Sequence, residues 1–349
     1  MTAAPHIDVH ARQLLAFLSA HRRRISPLLI LTHDFPDPDA LASAWGLHHL
    51  AKAVGIDAHI AYGGVIGRAE NRAMVELLRI PVHRLKPSDL RRYAHVALVD
   101  TQPRFENNPF PADRRATIVL DQHHPVEDVS ADLAIIDTGC GATCVIVAQA
   151  LLIEGIEIPV TMATAIAYGI LSDTLDLYRV TRTDVIQTYL RVLHRCDMRT
   201  LAEIQNPPRS RHFFTTLGRS IRTAVVCRRV MVAHLGAVSS PEDVALVADF
   251  LLTYEHASWS FCTGRSRGNL HLSLRTGLPD AQASDVLRDV VDDPDEAGGH
   301  GGVAGGRIGV GRRTTADQWT ALEQTLQTRL AKRLRLPAKA VFRRVFLDT

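Results

Sequence analysis

The stretch Leu28-Leu29-Ile30-Leu31-Thr32-His33-Asp34-Phe35-Pro36-Asp37-Pro38-Asp39-Ala40 decides how the first half of this chain is read. Its uncharged start, LLILT, predicts a strand buried on both faces. Pro36 and Pro38 then forbid a regular helix through the next residues. His33, Asp37 and Asp39 therefore stand on a stiff loop between that strand and a helix read as Asp39–Val54, ended near Gly55. Three side chains of ligand type on so short a loop suit a divalent cation. Read alone, the same residues are equally a helix cap at Asp39 and a loop carboxylate at Asp37.

Working outward, short β-rich runs alternate with helical stretches. Asp57–Ala61, His95–Asp100 (HVALVD) and Thr117–Asp121 (TIVLD) read as strands. Arg68–Leu78, Ala142–Glu154 and Thr161–Leu177 read as helices. Such alternation predicts a mostly parallel α/β sheet covered on both faces, with ligands at the carboxyl ends of its strands.

From Arg182 to Arg222 the pattern is helical and polar, broken by Asn206-Pro207-Pro208. Beyond it, Arg229–Leu235, Ser258–Thr263 and Asn269–Arg275 read as strands, and Pro241–Leu252, Ala281–Val290 and Thr315–Leu334 as helices. The glycine-dense segment Gly298–Gly311 reads as a loop between the last two helices. The expected organisation is a larger parallel-sheet domain over 1–195, a linker over 196–222 and a smaller α/β domain over 223–349, with a cleft between the domains.

Composition limits the classes. A chain of 349 residues with 46% hydrophobic and 22% charged residues is globular, not fibrous or disordered. A net charge of +3 disfavours tracking along long duplex nucleic acid. No apolar run reaches the ~18 residues of a membrane span. The basic cluster Arg22-Arg23-Arg24 follows the apolar patch Leu14–Leu18, the reverse of a secretory leader, so a cytoplasmic protein is expected. The five cysteines are scattered and odd in number, which argues against a disulfide framework.

Two further strand ends carry acids or imidazoles. HVALVD closes on Asp100, and TIVLD closes on Asp121 before Gln122-His123-His124-Pro125. Asp173 interrupts an apolar helical run, Ala163 to Leu171. A buried, unpaired carboxylate costs several kcal/mol, which a cation would remove; an Asp where the helix ends or bends reads the same way. Together these groups favour a two-metal hydrolytic centre.

Here the chain resembles a known family. The loop HDFPDPDA, the strand end VDTQP, the LDQHHP turn and the segment YGILSDT look like the four motifs of the DHH phosphoesterases. Arg179-Val180-Thr181 continues the likeness, as do LSLRT over 272–276 and the run from Gly298 to Gly306, which look like the DHH-associated C-terminal domain. The nearest subgroup is the bacterial nano-RNase and pAp-phosphatase group, which shares its architecture with cyclic-dinucleotide phosphodiesterases. One departure stands out: Asp121-Gln122-His123-His124 replaces the Asp-His-His of the family name. Keeping His-His-Pro in register gives His123 the metal position and His124 the substrate-facing one, and leaves Asp121 to orient a histidine.

The resemblance implies two ions, Mn²⁺ first and Mg²⁺ second. His33, Asp37 and Asp100 would hold one, and Asp39, Asp100, His123 and Asp173 the other, with Asp100 as bridge. A hydroxide shared by the ions would attack phosphorus, with His124 binding phosphate or protonating the leaving oxygen. Arg275, Gly299, His300 and Gly301 would grip a substrate phosphate, with Arg265 as a further contact or a charged turn. Expected substrates are short single-stranded RNA or DNA, or nucleotide phosphates such as 3′-phosphoadenosine 5′-phosphate (pAp). A homodimer is also expected. The rivals are an inorganic pyrophosphatase or polyphosphatase, a single-strand exonuclease and a non-catalytic nucleotide sensor.

Overall fold

The structure, a computed structural model, describes residues 6–125, 128–337 and 341–346. It divides into two compact units, Met1–Pro208 and Arg209–Thr349.

The first unit runs α1 (His6–His21), β1 (Leu28–Thr32), α2 (Pro38–Ala53), β2 (Ala58–Tyr62), α3 (Ala69–Leu78), β3 (Val82–Arg84), α4 (Asp89–Arg92), β4 (His95–Val99), β5 (Ala116–Asp121) and β6 (Ala131–Ile136). Helices α5 (Cys144–Glu154), α6 (Val160–Thr174), α7 (Thr183–Leu193) and α8 (Met198–Gln205) complete it. The six strands are all parallel, in the order β3-β2-β1-β4-β5-β6. The chain steps outward from β1 in one direction and from β4 in the other. The crevice at such a reversal, beyond the strands' carboxyl ends, is where these sheets bind ligands.

The LLILT run is buried on both faces, as its composition predicts. Leu28 and Ile30 enter the larger core with residues of α1, α2, α5 and α6. Leu29 and Leu31 enter a smaller cluster with Val96, Leu98 and Val119, covered by Tyr93 and Phe110. The expected covering of both faces is therefore uneven: long helices pack on one face, and the other is closed by loop residues and the short α4.

The second unit runs α9 (Arg211–Thr223), β7 (Val225–Cys227), β8 (Val230–Ala237), α10 (Pro241–Leu252), β9 (Trp259–Ser266), β10 (Asn269–Thr276), α11 (Ala283–Arg288), β11 (Ala297–His300), β12 (Val303–Gly309), α12 (Ala316–Arg333) and β13 (Arg343–Arg344). Its mixed sheet has the order β11-β12-β10-β9-β8-β7-β13. The glycine-dense segment departs from its reading as a loop. It forms the antiparallel hairpin β11–β12, with β12 paired to β10 from Asn269↔Gly309 to Arg275↔Val303. Glycine weakens a strand, but it also lets backbones approach closely. A Cβ on Gly299, at φ +149°, would lie 2.2 Å from the Val303 carbonyl oxygen. Among the described residues, no helix is long and apolar enough to cross a membrane.

Candidate metal centre

Strand ends and helix termini of the first unit bring the acids together. Asp37 caps α2, accepting the Ala40 N–H at 3.0 Å, with Pro38 as the first helical residue. Asp39, expected as a metal ligand and read alternatively as the helix cap, lies inside the first turn and is fully buried. It reaches the start of α5, accepting the Thr143 N–H at 2.6 Å and the Cys144 N–H at 2.8 Å. A helix N-terminus is a favourable place for a carboxylate. Asp100 follows β4 at φ +58° and is 1% exposed. It accepts the Thr143 hydroxyl at 3.0 Å. Asp173 sits in the last turn of α6.

Ligand atoms of His33, Asp37 and Asp100 lie within 4.8 Å of one another, and so do those of Asp39, Asp100 and Asp173. Asp100 is common to both groups. The His33 ring is already oriented. Its Nδ1 is 2.7 Å from the Asp34 carbonyl, which can only accept, so Nδ1 carries the proton. Nε2 then faces Asp37 and Asp100 at 3.8 and 3.5 Å, beyond good hydrogen-bond range.

The electrostatics are those of crowded charge out of water. Burial, then the charges of Asp100 and Asp37, hold the Asp39 carboxyl well above its usual range. Burial, then Asp37, Asp39 and Asp100, do the same to Asp173. Burial also raises Asp100, although His33 opposes it. Burial disfavours a charged His33, but Asp100 and Asp37 outweigh it and raise the ring well above its usual value. Burial would lift Asp37 too, yet the His33 contact wins and lowers it. A divalent cation would relieve this strain on Asp39, Asp100 and Asp173. The donor set of carboxylates with one imidazole suits Mn²⁺ or Mg²⁺.

The turn after β5 is arranged around Asp121. Its fully buried carboxylate accepts the Gln102 side-chain amide at 2.7 Å and the Gln122 N–H at 2.8 Å. The same carboxylate lies 2.8 Å from His123 Nδ1. This contact, ahead of the opposing burial and the Asp100 charge, raises His123 to a pKa of about 9. His123 groups with Asp100 and Asp121, not with Asp39 and Asp173. Gln122 occupies that second place: its amide nitrogen is 2.6 Å from Asp173 and 3.4 Å from Asp39. Neither Gln102 nor Gln122 was singled out from sequence as a site residue. Their only signal was to follow a strand-end aspartate closely. His124 is exposed.

The residues expected to hold substrate lie in the second unit. Arg275 is 5% exposed, and its guanidinium pairs with Asp249 at 2.5 Å and donates to the Leu274 and Ala304 carbonyls. Arg265 forms an ion pair with the buried Glu323 and stacks over Trp319. Gly299, His300 and Gly301 belong to β11 and its turn, with His300 paired to Val303 through the backbone. A groove of about 330 Å³ is lined by Glu242, His271, Ser273, Arg275, Gly305 and Gly306, among others.

Residues 27–170 match the family described as the DHH family, N-terminal domain. An uncharacterized protein of Methanocaldococcus jannaschii is 33% identical over 82% of this chain and 59% of its own length. A "Probable manganese-dependent inorganic pyrophosphatase" of an Exiguobacterium species is 29% identical over 46% of this chain and 52% of its own. The chain thus spans little more than half the length of these relatives. Among solved structures, an exopolyphosphatase-related protein from Bacteroides fragilis aligns over 93% of this chain and 98% of its own, with a TM-score of 0.72 at 14% identity. An exonuclease RecJ bound to manganese aligns over 94% and 95%, with a TM-score of 0.54 at 16% identity. At these identities the likeness is one of fold.

Proposed function

We propose that this chain, whose residues 27–170 match the DHH family, N-terminal domain, is a two-metal phosphoesterase. Its substrates are short oligonucleotides or nucleotide phosphates. The observation that carries the reading is Asp100, nearly inaccessible to solvent and common to two converging groups, His33–Asp37–Asp100 and Asp39–Asp100–Asp173. The manganese named for the pyrophosphatase relative supports Mn²⁺ as the resident ion, with Mg²⁺ second.

Ions bound here would supply Lewis acidity, acidifying water and neutralising charge on a phosphoryl group. The chain's own groups do the rest. The Asp34 carbonyl fixes the His33 tautomer, leaving Nε2 free to ligate. The start of α5 fixes both oxygens of Asp39. Asp121 orients His123. The exposed His124 binds the substrate phosphate or protonates the leaving oxygen. In the second unit, the turn at Gly299, His300 and Gly301 is the proposed phosphate-gripping element, and its Gly301 N–H already donates to the Gln282 side chain. Arg265 and Arg275 already have internal partners, Glu323 and Asp249.

The pyrophosphatase relative favours one second reading, hydrolysis of a phosphoanhydride at the same centre. The deciding experiment is hydrolysis by the purified chain with Mn²⁺ of a dinucleotide, a five-nucleotide RNA, pAp, cyclic di-AMP and pyrophosphate. Asp37→Ala and Asp100→Asn are assayed alongside. Turnover of the nucleotides, lost in both variants, is expected. Turnover of pyrophosphate alone would replace this reading with the second. Metal binding without any turnover would favour a sensor.

A further inference from the structure

We propose that Gln122, through its carboxamide oxygen, completes the second cation site with Asp39, Asp100 and Asp173, so that the two sites differ in chemistry. This inference rests on the two-metal reading above.

The position of Gln122 follows from the turn. Asp121 accepts the backbone N–H groups of both Gln122 and His123, at 2.8 and 3.3 Å, and Gln102 clamps its other oxygen at 2.7 Å. The turn is therefore registered from the aspartate, and the first side chain beyond it is the one that enters the acid cluster. That side chain is Gln122, 2.6 Å from Asp173 and 3.4 Å from Asp39. His123, one residue on, is turned back onto Asp121 at 2.8 Å.

A carboxamide has a donor and an acceptor related by a half-turn of its terminal torsion. Facing anions alone, Gln122 presents its N–H₂ end. Facing a cation, the same side chain presents its oxygen with little other movement. The second site then contains only oxygen ligands, whereas the first contains the His33 imidazole. Carbonyl and carboxylate oxygens suit Mg²⁺ and Mn²⁺, and imidazole adds affinity for Co²⁺, Ni²⁺ and Zn²⁺. The first site should therefore fill first and take late transition metals well. The second should be weaker and should gain little on passing from Mn²⁺ to Co²⁺.

The test is metal binding without substrate, with Mn²⁺ followed by its free-ion paramagnetic resonance signal and Co²⁺ by its visible absorption. The full-length wild type, Gln122→Ala, Gln122→His and His123→Ala are compared, with circular dichroism as a check on folding. The wild type should bind one Mn²⁺ tightly and one at least tenfold more weakly. Gln122→Ala should weaken only the second event, by roughly tenfold or more. Gln122→His should raise Co²⁺ affinity at the second site and leave the first unchanged, and His123→Ala should retain both ions. Two equivalent ions untouched by Gln122→Ala, or loss of the second ion in His123→Ala alone, would overturn the proposal and leave the two-metal reading standing. A wild type that binds no Mn²⁺ would overturn both.

Discussion

Asp39 accepts the backbone N–H of Cys144 at 2.8 Å, which ties the first turn of α2 to the first turn of α5, 105 residues further along the chain. Its other oxygen accepts the neighbouring Thr143 N–H at 2.6 Å. One carboxylate thus belongs to the candidate cation site and is also the external cap of a helix that lacks a side-chain cap from its own N-cap residue.

Asp39→Ala should therefore cost stability even without metal. It strands two buried N–H groups, worth about 2–4 kcal/mol together. Asp39→Asn keeps one acceptor and should cost less. Urea unfolding of both metal-free variants checks this; equal midpoints would show that the contact to α5 is dispensable.

Asp173→Asn should act in the opposite sense. Burial and three neighbouring acids disfavour its charge, and an asparagine oxygen can still accept from Gln122. The metal-free variant at pH 8 should be more stable than wild type. It should also lose most of the stabilisation that Mn²⁺ gives the wild type. A metal-free Asp173→Asn less stable than wild type would contradict the crowding of charge described here.

The metal-free protein should lose stability as pH rises. His123 is raised from 6.5 to about 9, so its contribution is complete below pH 6.5 and is lost as pH climbs through about 9. Its side chain is 45% exposed, which leaves about 1 kcal/mol after screening. The raised acids Asp39, Asp100 and Asp173 act in the same direction. Melting temperature measured in chelator from pH 6 to 9.5 should fall, and His123→Gln should flatten the upper part of the curve.

Gly169→Ala tests how α6 is seated. An added Cβ would lie 3.1 Å from the Ala42 Cβ, the Cys144 sulfur and the Pro38 carbonyl, where α6 crosses the starts of α2 and α5. Overpacking of this kind costs about 1–3 kcal/mol. Because Asp173 rides on the same helix, Mn²⁺ affinity should drop along with the melting temperature. A variant that melts lower but binds Mn²⁺ as wild type would separate the two.

Arg265→Ala separates support from substrate contact. It leaves Glu323, 3% exposed, without its ion-pair partner, a loss of about 3–5 kcal/mol. KM should stay near wild type while the unfolding midpoint falls. A rise in KM with stability intact would return Arg265 to the substrate.

How much could be read in advance depended on how local the cause was. Strands β1, β4 and β5 were legible because parallel central strands are continuous apolar runs, and the acids at their ends followed. Strand β6 was missed: Ala131–Ile136 lies at the sheet edge, half of it reaches solvent, and Asp132 breaks the run. Helix α1 was read only as an apolar patch. The hairpin β11–β12 was read as a loop because its glycines carry no side-chain pattern, and only its pairing with β10 makes it sheet. The turn Asp121-Gln122-His123-His124 admits two registers, and the hydrogen bonds to Asp121 that orient Gln122 and His123 are invisible in sequence.

The order β3-β2-β1-β4-β5-β6 places the earliest strand at the centre of the sheet. During synthesis, β1 emerges with both edges bare. One edge is covered when β2 arrives; the other stays open until β4 has been made. A bare apolar edge recruits other chains. The nascent chain is thus most exposed to aggregation, and most in need of a chaperone, between residues 32 and 99. The proposed second cation site cannot assemble until α6 has delivered Asp173. A ribosome that stalls early would release a sticky fragment; one that stalls after α6 would release a sheet whose first strand has both edges paired.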